Sequence, residues 1–184
     1  MNILLIIIGI FILILSTVLI FSYNALVSLR ESLKKNWGNI DVILKQRFDE
    51  IPQLVKVCES YVNYEKSMVD KILSTRADYM NCDSIKDKIV KSNELISGLN
   101  GLIGLGEDNL ELKSNQNFLQ IQVRLSELES KLTSRREFYN DSVYLYNSRI
   151  QQIPDVFLAR LLGYEEEALF IVEKNEKVLN LNIG

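Results

Sequence analysis

The sequence contains no histidine, only two cysteines and only two prolines among 184 residues. Without histidine the chain lacks the commonest general base and the commonest protein ligand for metal ions. The cysteines, Cys58 and Cys82, do not have metal-site spacing, and Cys58 falls in an apolar helical stripe. A free buried thiol is therefore favoured over a disulfide between the two. Few helix breakers and many long side chains predict an all-helical protein.

Net charge, the glycine-rich stretch and the placement of the carboxylates argue against several function classes. A net charge of −3 does not indicate nucleic-acid binding. The glycine-rich stretch at residues 101–106 resembles a phosphate loop, but no strand precedes it and no Lys-Ser/Thr follows it. Carboxylates occur mostly beside lysines, as on ordinary solvated helix faces. We therefore predict no enzymatic activity, no catalytic or metal-binding residues and no cofactor.

One long hydrophobic run dominates the N-terminus. Sixteen of the nineteen residues at positions 3–21 are Ile, Leu, Val or Phe, and the first charged side chain is Arg30. As a helix at ~1.5 Å per residue, the run spans about 28 Å, close to the hydrocarbon thickness of a bilayer. A signal peptide would need a basic start, a shorter run and a small-residue cleavage site. A buried core helix is rarely apolar on every face. The run predicts a retained transmembrane helix that contacts membrane lipid through residues 3–21.

The flanking charges predict the orientation of this helix. Arg30, Lys34 and Lys35 follow the apolar run, whereas no basic side chain precedes it. Under the positive-inside rule, the N-terminus lies outside the cell membrane and the rest of the chain lies in the cytoplasm. The predicted organisation is a single-pass anchor at residues 1–22, a helical bundle at residues 23–153, and a C-terminal amphipathic segment with a short tail at residues 154–184.

The bundle segment shows the spacing of helices that bury one face. The first helix continues from the anchor, with apolar positions at Leu26, Leu33, Trp37, Ile40, Leu44, Ile51, Leu54, Cys58 and Val62. Pro52 lies inside this run and predicts a kink or a freed backbone acceptor. A second helix is predicted over residues 64–80.

A break at residues 81–84 separates the second helix from a third that begins at Ile85, and either Asp83 or Ser84 can cap the third helix. Three glycines at steps of three predict a closely packed face on it: Gly98, Gly101 and Gly104. The break favours an antiparallel up-and-down four-helix bundle, which returns the last helix toward the membrane. The alternative is three helices, with residues 64–104 as one broken helix.

The last long helix begins near Ser114 and has a heptad pattern typical of a coiled-coil-like seam. Its apolar positions are Phe118, Ile121, Leu125, Leu128, Leu132, Tyr139, Tyr146 and Ile153, with Arg135, Ser142 and Arg149 as polar exceptions. Pro154 ends this helix. The apolar stretch at residues 156–164 either caps the end of the bundle or lies on the membrane surface. Glu165 to Glu167 begin a last predicted helix.

Six residues are candidates for interaction or for fixing the bundle register: Arg47, Arg135, Tyr139, Asn140, Tyr146 and Asn147. Arg47 falls on the apolar stripe. It either extends its guanidinium to solvent or pairs with a carboxylate such as Asp41 or Asp49. The two Tyr-Asn pairs either form a polar layer that satisfies itself inside the bundle or form a recognition patch.

These residues together resemble the LemA family over nearly the whole chain. The resemblance rests on Tyr23-Asn24 after the anchor, Trp37, the segment from Ile40 to Val55, Tyr64 to Lys66, Ser114 to Gln122, Arg135 to Asp141, Tyr146-Asn147, Pro154 and Leu161 to Tyr164. It implies an antiparallel helical bundle tethered to the membrane by one helix, with the bundle in the cytoplasm and no known enzymatic activity. Two features depart from the family pattern: the polar residues Asn36 and Asn39, where relatives usually have acidic and small residues, and a short acidic tail after Gly163.

Two functions follow as hypotheses. The first is a membrane-tethered scaffold or adaptor that binds as yet unknown protein partners. The second is an extracytoplasmic sensory or ligand-binding bundle. The sequence does not indicate the oligomeric state.

Overall fold

The computed structural model describes residues 2–60 and 66–172. It contains seven helices in these ranges: α1 (Asn2–Asp49), α2 (Ile51–Glu59), α3 (Lys66–Asn81), α4 (Ile85–Glu107), α5 (Leu110–Lys113), α6 (Gln116–Gln151) and α7 (Asp155–Leu161). No strand occurs in the described ranges. The all-α fold, with a long apolar N-terminal helix followed by further helices, is therefore confirmed.

Helix α1 contains the apolar run and continues beyond it without a break for 48 residues in all. The run is exposed throughout, so it is not the core helix of a soluble domain. By length and composition it is able to cross a membrane. The hydroxyls of Ser16 and Thr17 donate to the carbonyls of Ile12 and Leu13, so both polar side chains are satisfied within the helix.

The described chain divides into two compact units. Among the described residues, unit 1 comprises residues 2–47 and 125–169, and unit 2 comprises residues 48–60, 66–124 and 170–172. Helices α1 and α6 each contribute residues to both units. The predicted domain boundaries at residues 22 and 153 are a different division of the chain and stay predictions.

Within unit 1, α1 and α6 run antiparallel. Early residues of α1 contact late residues of α6 and the turn after it, and late residues of α1 contact early ones of α6. Three pairs show this order: Ser22 with Asp155, Asn36 with Ser142, and Arg47 with Glu129. The C-terminal end of α6 therefore lies beside the end of the apolar run, as the up-and-down arrangement predicts.

Within unit 2, α3 and α4 form an antiparallel helix pair. The Ser84 hydroxyl accepts from the backbone N–H of Asp87, so Ser84 caps α4 as predicted. A Cβ on Gly98 would lie 2.8 Å from Cγ1 of Ile72 on α3. The described part of residues 64–104 therefore forms two packed helices rather than one broken helix.

The glycine prediction holds at two of the three positions. Gly101 also packs closely on α3, with Met68 Cε 2.9 Å from the place of a Cβ. Gly104 has nothing within 4 Å, so its predicted close packing is wrong. Gly106 takes that role instead, because Phe118 occupies the place where its side chain would extend.

Pro52 lies in the first turn of α2, where its missing N–H removes no helical hydrogen bond. The helical run is interrupted at Glu50, between α1 and α2. The predicted apolar stripe is buried from Leu26 through Cys58, and Val62 lies outside the described residues.

The predicted apolar positions of α6 are buried through Leu132, and Tyr139 and Tyr146 further along are buried as predicted. At the positions between and after these tyrosines the buried residue lies one later than the heptad gives: Arg136 instead of Arg135 and Ile150 instead of Arg149, while Val143 is buried beside Ser142. Arg135 is exposed, and Ile153 is 80% exposed, so both predicted seam positions are wrong. An undistorted α-helix drifts ~20° per heptad from a strict seven-residue repeat, and over five heptads this drift amounts to about one residue.

The predicted helix from Glu165 is also wrong for the residues described. Helix α7 is followed by a left-handed Gly163 with φ of 66°, and residues 164–172 are not helical. The rest of the predicted helix lies outside the described residues.

Candidate functional site

Two arginines and one glutamate form a buried cluster between α1 and α6 in unit 1. Arg47 Nη1 pairs with Glu129 Oε2, and Arg136 Nη1 donates to Glu129 Oε1 at 3.0 Å. Both arginines are buried, whereas the Glu129 side chain is 40% exposed. Burial lowers the pKa of Arg47 to about 10, with the charge of Arg136 as a second cause. Burial likewise lowers the pKa of Arg136 to about 10. Both therefore remain cationic at neutral pH, and the cluster carries a net positive charge.

Arg47 is thus a buried paired charge, but its partner is not on its own helix. Asp41 pairs with Lys45 at 2.8 Å, and Asp49 pairs with Arg76 at 2.9 Å. The carboxylate that reaches Arg47 comes from α6, 82 residues later. Helical spacing shows neighbours on the same helix and not those across a helix pair, so Glu129 was missed.

Nearer the start of α1 than Arg47, an aromatic pair and an amide continue the α1–α6 contact. The rings of Trp37 and Tyr139 lie with their centroids 5.5 Å apart. The Asn36 amide donates to the hydroxyl of Ser142, which itself donates to the carbonyl of Phe138 at 2.8 Å. The polar position Ser142 is therefore satisfied inside the helix pair.

Tyr139 and Asn147, two of the candidate residues, bind the chain's own C-terminal segment. The Tyr139 hydroxyl donates to the carbonyl of Ala168 at 2.9 Å. The Asn147 amide donates to the carbonyl of Glu167 and accepts from its N–H, both at 2.9 Å. Asn147 thus satisfies both backbone groups of one non-helical residue. These bonds explain why the backbone at residues 167 and 168 needs no helical hydrogen bonds of its own.

Tyr146 packs on the same segment. Its ring lies 6.3 Å from that of Tyr164, and the guanidinium of Arg30 lies over the Tyr164 ring at 4.8 Å. Burial raises the pKa of Tyr146, and burial followed by the charge of Glu167 raises the pKa of Tyr139. Both hydroxyls therefore stay protonated at neutral pH.

Two candidate residues remain, Asn140 and Arg135. Asn140 is partly buried, and Arg135 is exposed on α6. The structure thus brings together Tyr139, Tyr146 and Asn147, and it places Arg47 in a separate cluster. At the predicted seam position of Arg135, the buried residue is instead Arg136. A 3.6-residue period would have identified Arg136 from the sequence.

A buried carboxylate, that of Asp155, lies at the end of the apolar run. The Ser22 hydroxyl donates to Oδ1 of Asp155, and Arg149 Nε pairs with Oδ2 of the same residue. Ser22 and Asp155 are both buried. No sequence pattern indicated this contact, because its members come from α1, α6 and the start of α7.

The described residues contain no group of three or more Cys, Asp or Glu side chains placed to hold a metal ion. The geometry therefore consists of helix-to-helix and helix-to-segment contacts beside one helix able to cross a membrane. These features define a helical protein whose N-terminal helix is able, by its length and composition, to cross a membrane.

Comparison with known proteins identifies the family. Residues 36–182 match the LemA family, and the chain belongs to this family. It is 21% identical over 180 residues to magnetosome protein MamQ of Magnetospirillum gryphiswaldense, an alignment that covers 84% of this chain and 66% of that protein. It is 22% identical over 178 residues to magnetosome protein MamQ 2 of Paramagnetospirillum magneticum, with 83% and 65% covered. The chain thus spans just under two thirds of the length of these relatives.

Proposed function

We propose that this LemA-family protein is a membrane-tethered helical scaffold that binds protein partners through exposed helix faces next to the bilayer. The observation that carries the proposal is the continuity of α1. One unbroken helix contains the apolar run and then forms half of the α1–α6 pair. A partner bound to α6 would therefore be held at a fixed distance from the membrane.

The partner surface that we propose is the α6 outer face, defined as Phe138 and Leu145. Both side chains are 55% exposed, and a spacing of seven residues places them on one side of α6. Exposed large apolar side chains in line on a helix mark an interaction surface more often than isolated ones do. The partner that fits such a line is a protein helix with an apolar stripe of its own.

Site-directed photo-cross-linking in intact cells tests this surface. A photoreactive amino acid at Phe138 or Leu145 is expected to give discrete cross-linked products. The matched control is Tyr144, which is exposed on the same helix but points in a different direction around its axis. In the protein that carries the photoreactive amino acid at position 145, the substitution Phe138→Ser is expected to reduce the yield of the cross-linked product. Identical products from positions 138, 144 and 145 would contradict the proposed face.

The extracytoplasmic sensory bundle remains the second candidate, because unit 2 contains a polar cavity. This cavity has a volume of about 560 Å³, and its lining includes Glu50, Lys56, Asn115 and Arg124. Its polar lining is suited to a small polar ligand. The scaffold proposal places the helices that follow the apolar run in the cytoplasm, whereas the sensory proposal places them outside the cell.

Cysteine accessibility separates the two functions. Single cysteines at Asn2 and Leu110, in a protein lacking Cys58 and Cys82, are labelled in intact cells with an impermeant reagent. We choose Leu110 because its side chain is exposed. The adjacent Asn109 is unsuitable because its side chain caps α5. Labelling at position 2 alone supports the scaffold, with the N-terminus outside. Labelling at position 110 alone supports the sensory bundle and contradicts the orientation from flanking charge.

A further inference from the structure

Helix α7 carries its larger apolar side chains on the side facing away from the protein. Its buried positions are Asp155 and Ala159, one turn apart. Phe157 and Leu161, also one turn apart, are 67% and 82% exposed. Ile153, in the turn just before α7, is 80% exposed. A helix packed on a soluble domain shows the opposite pattern, with its large apolar residues inside.

The position of α7 relative to the apolar run is defined within unit 1. The Ser22–Asp155 hydrogen bond joins the first residue of α7 to the end of the run. Beside this bond lies an apolar cavity of about 390 Å³, lined by Leu13, Ile14, Val18 and Phe21 of α1 and by Pro154. The start of α7 is therefore level with the last turns of the hydrophobic helix.

We propose that α7 lies in the membrane interface, with Ile153, Phe157 and Leu161 inserted among the acyl chains of the bilayer that α1 crosses. The proposal rests on the membrane tether proposed above. It makes α7 a second attachment point next to the transmembrane helix. Two attachment points would restrict the tilt of the α1–α6 pair relative to the membrane.

Lipid is the occupant that fits the exposed α7 face, because the apolar surface of α7 is continuous with that of the hydrophobic helix α1. Ile20 and Phe21 are exposed at the end of the run, and the cavity between Phe21 and Pro154 has an apolar lining that acyl chains would fill. Short amphipathic helices bind membranes in this in-plane orientation.

The charges near α7 are also arranged for an interface. Asp155, the buried carboxylate, is paired with Arg149 and accepts from Ser22, so it presents no uncompensated charge to lipid. Arg160 is exposed on α7. From an interfacial position, a long arginine side chain is able to extend its charge to lipid phosphates.

Fluorescence quenching by lipid-attached nitroxides tests the proposal. The full chain, lacking Cys58 and Cys82, carries an environment-sensitive fluorophore on a single cysteine and is reconstituted into phosphatidylcholine nanodiscs. Fluorophores are placed at Phe157 and at Leu161. The matched control is Tyr144, which is 70% exposed in the same unit but lies well before the end of α6 at Gln151. A fluorophore at Ser16 reports on the hydrophobic helix itself.

The expected result is that nitroxides placed near the lipid carbonyls quench positions 157 and 161 by about twofold or more and leave position 144 unquenched. Quenching at 16 with none at 157 or 161 overturns the interfacial helix and leaves the membrane tether intact. A blue-shifted but unquenched signal at 157 also overturns it, because the face is then covered by protein, such as a second copy of the chain. Absence of quenching at position 16 contradicts the membrane tether itself.

Discussion

Arg47 of α1 and Glu129 of α6 form an ion pair across the α1–α6 contact, although 82 residues separate them in the chain. The same carboxylate accepts a second hydrogen bond from Arg136, so one partly exposed glutamate neutralises one of two buried arginines. We expect this cluster to fix which turn of α1 faces which turn of α6, because a shift along the helix axis would leave buried charge unpaired.

The cluster predicts unequal effects of removing its members. Glu129→Gln is expected to lower the free energy of unfolding by about 2 kcal/mol, because two like charges remain buried together. Arg47→Met is expected to cost less than about 1 kcal/mol, because Glu129 and Arg136 still form a neutral pair. Urea unfolding in detergent micelles, followed by circular dichroism, measures both. Glu127→Gln, at an exposed position on α6, is the control and should change little. Equal losses for Glu129→Gln and Arg47→Met would contradict this charge account.

The Asn147 contact predicts local release of the C-terminal segment. Asn147→Ala removes both hydrogen bonds to Glu167 and is expected to cost about 1–3 kcal/mol of local stability. Amide hydrogen exchange over residues 164–169 should therefore become faster by about tenfold or more. Gln151→Ala, which loses only an exposed bond to Glu166, is the control and should have little effect. Unchanged exchange in Asn147→Ala would show that this residue does not hold the segment.

Two glycines of α4 are expected to respond to alanine with opposite signs. Gly104→Ala should stabilise the protein by about 0.5–1 kcal/mol, because the site is open and alanine favours the helix. Gly98→Ala should destabilise it by about 1–3 kcal/mol, because the new methyl group meets the buried Ile72 side chain at 2.8 Å. Thermal unfolding of the two variants side by side measures the difference. Stabilisation by both substitutions would mean that α3 moves away easily from α4.

The buried thiol of Cys58 predicts a loss of stability at alkaline pH. Burial raises the pKa of Cys58 from 9.0 to about 11, so the folded state keeps the proton longer than the unfolded state does. The protonated Cys58 thiol therefore makes its full contribution to the free energy of unfolding below pH 9. This contribution is lost as the pH rises through 11. The loss amounts to about 2–3 kcal/mol. Between pH 9 and 11, the free energy of unfolding should therefore fall less steeply in Cys58→Ala than in the unsubstituted protein. Equal slopes in the two proteins would contradict burial of this thiol in the folded state.

The amino-acid sequence by itself determined the elements of this protein that depend on local composition. The apolar run, the stripe from Leu26 to Cys58 and the break before Ser84 were all predicted, because hydrophobic spacing and capping act within one helix. The family was recognisable for the same reason, since its segments are short and continuous in the chain.

The tertiary structure alone decided which elements meet. The partner of Arg47, the shift from Arg135 to Arg136, and the contact of Ser22 with Asp155 all depend on the fit between helices distant in sequence. The segment after Gly163 shows the same dependence. Its glutamates favour a helix locally, but the side chains of Tyr139 and Asn147 satisfy its backbone in a non-helical conformation. Local propensity is worth only tenths of a kcal/mol per residue, and tertiary hydrogen bonds of about 1 kcal/mol each exceed it.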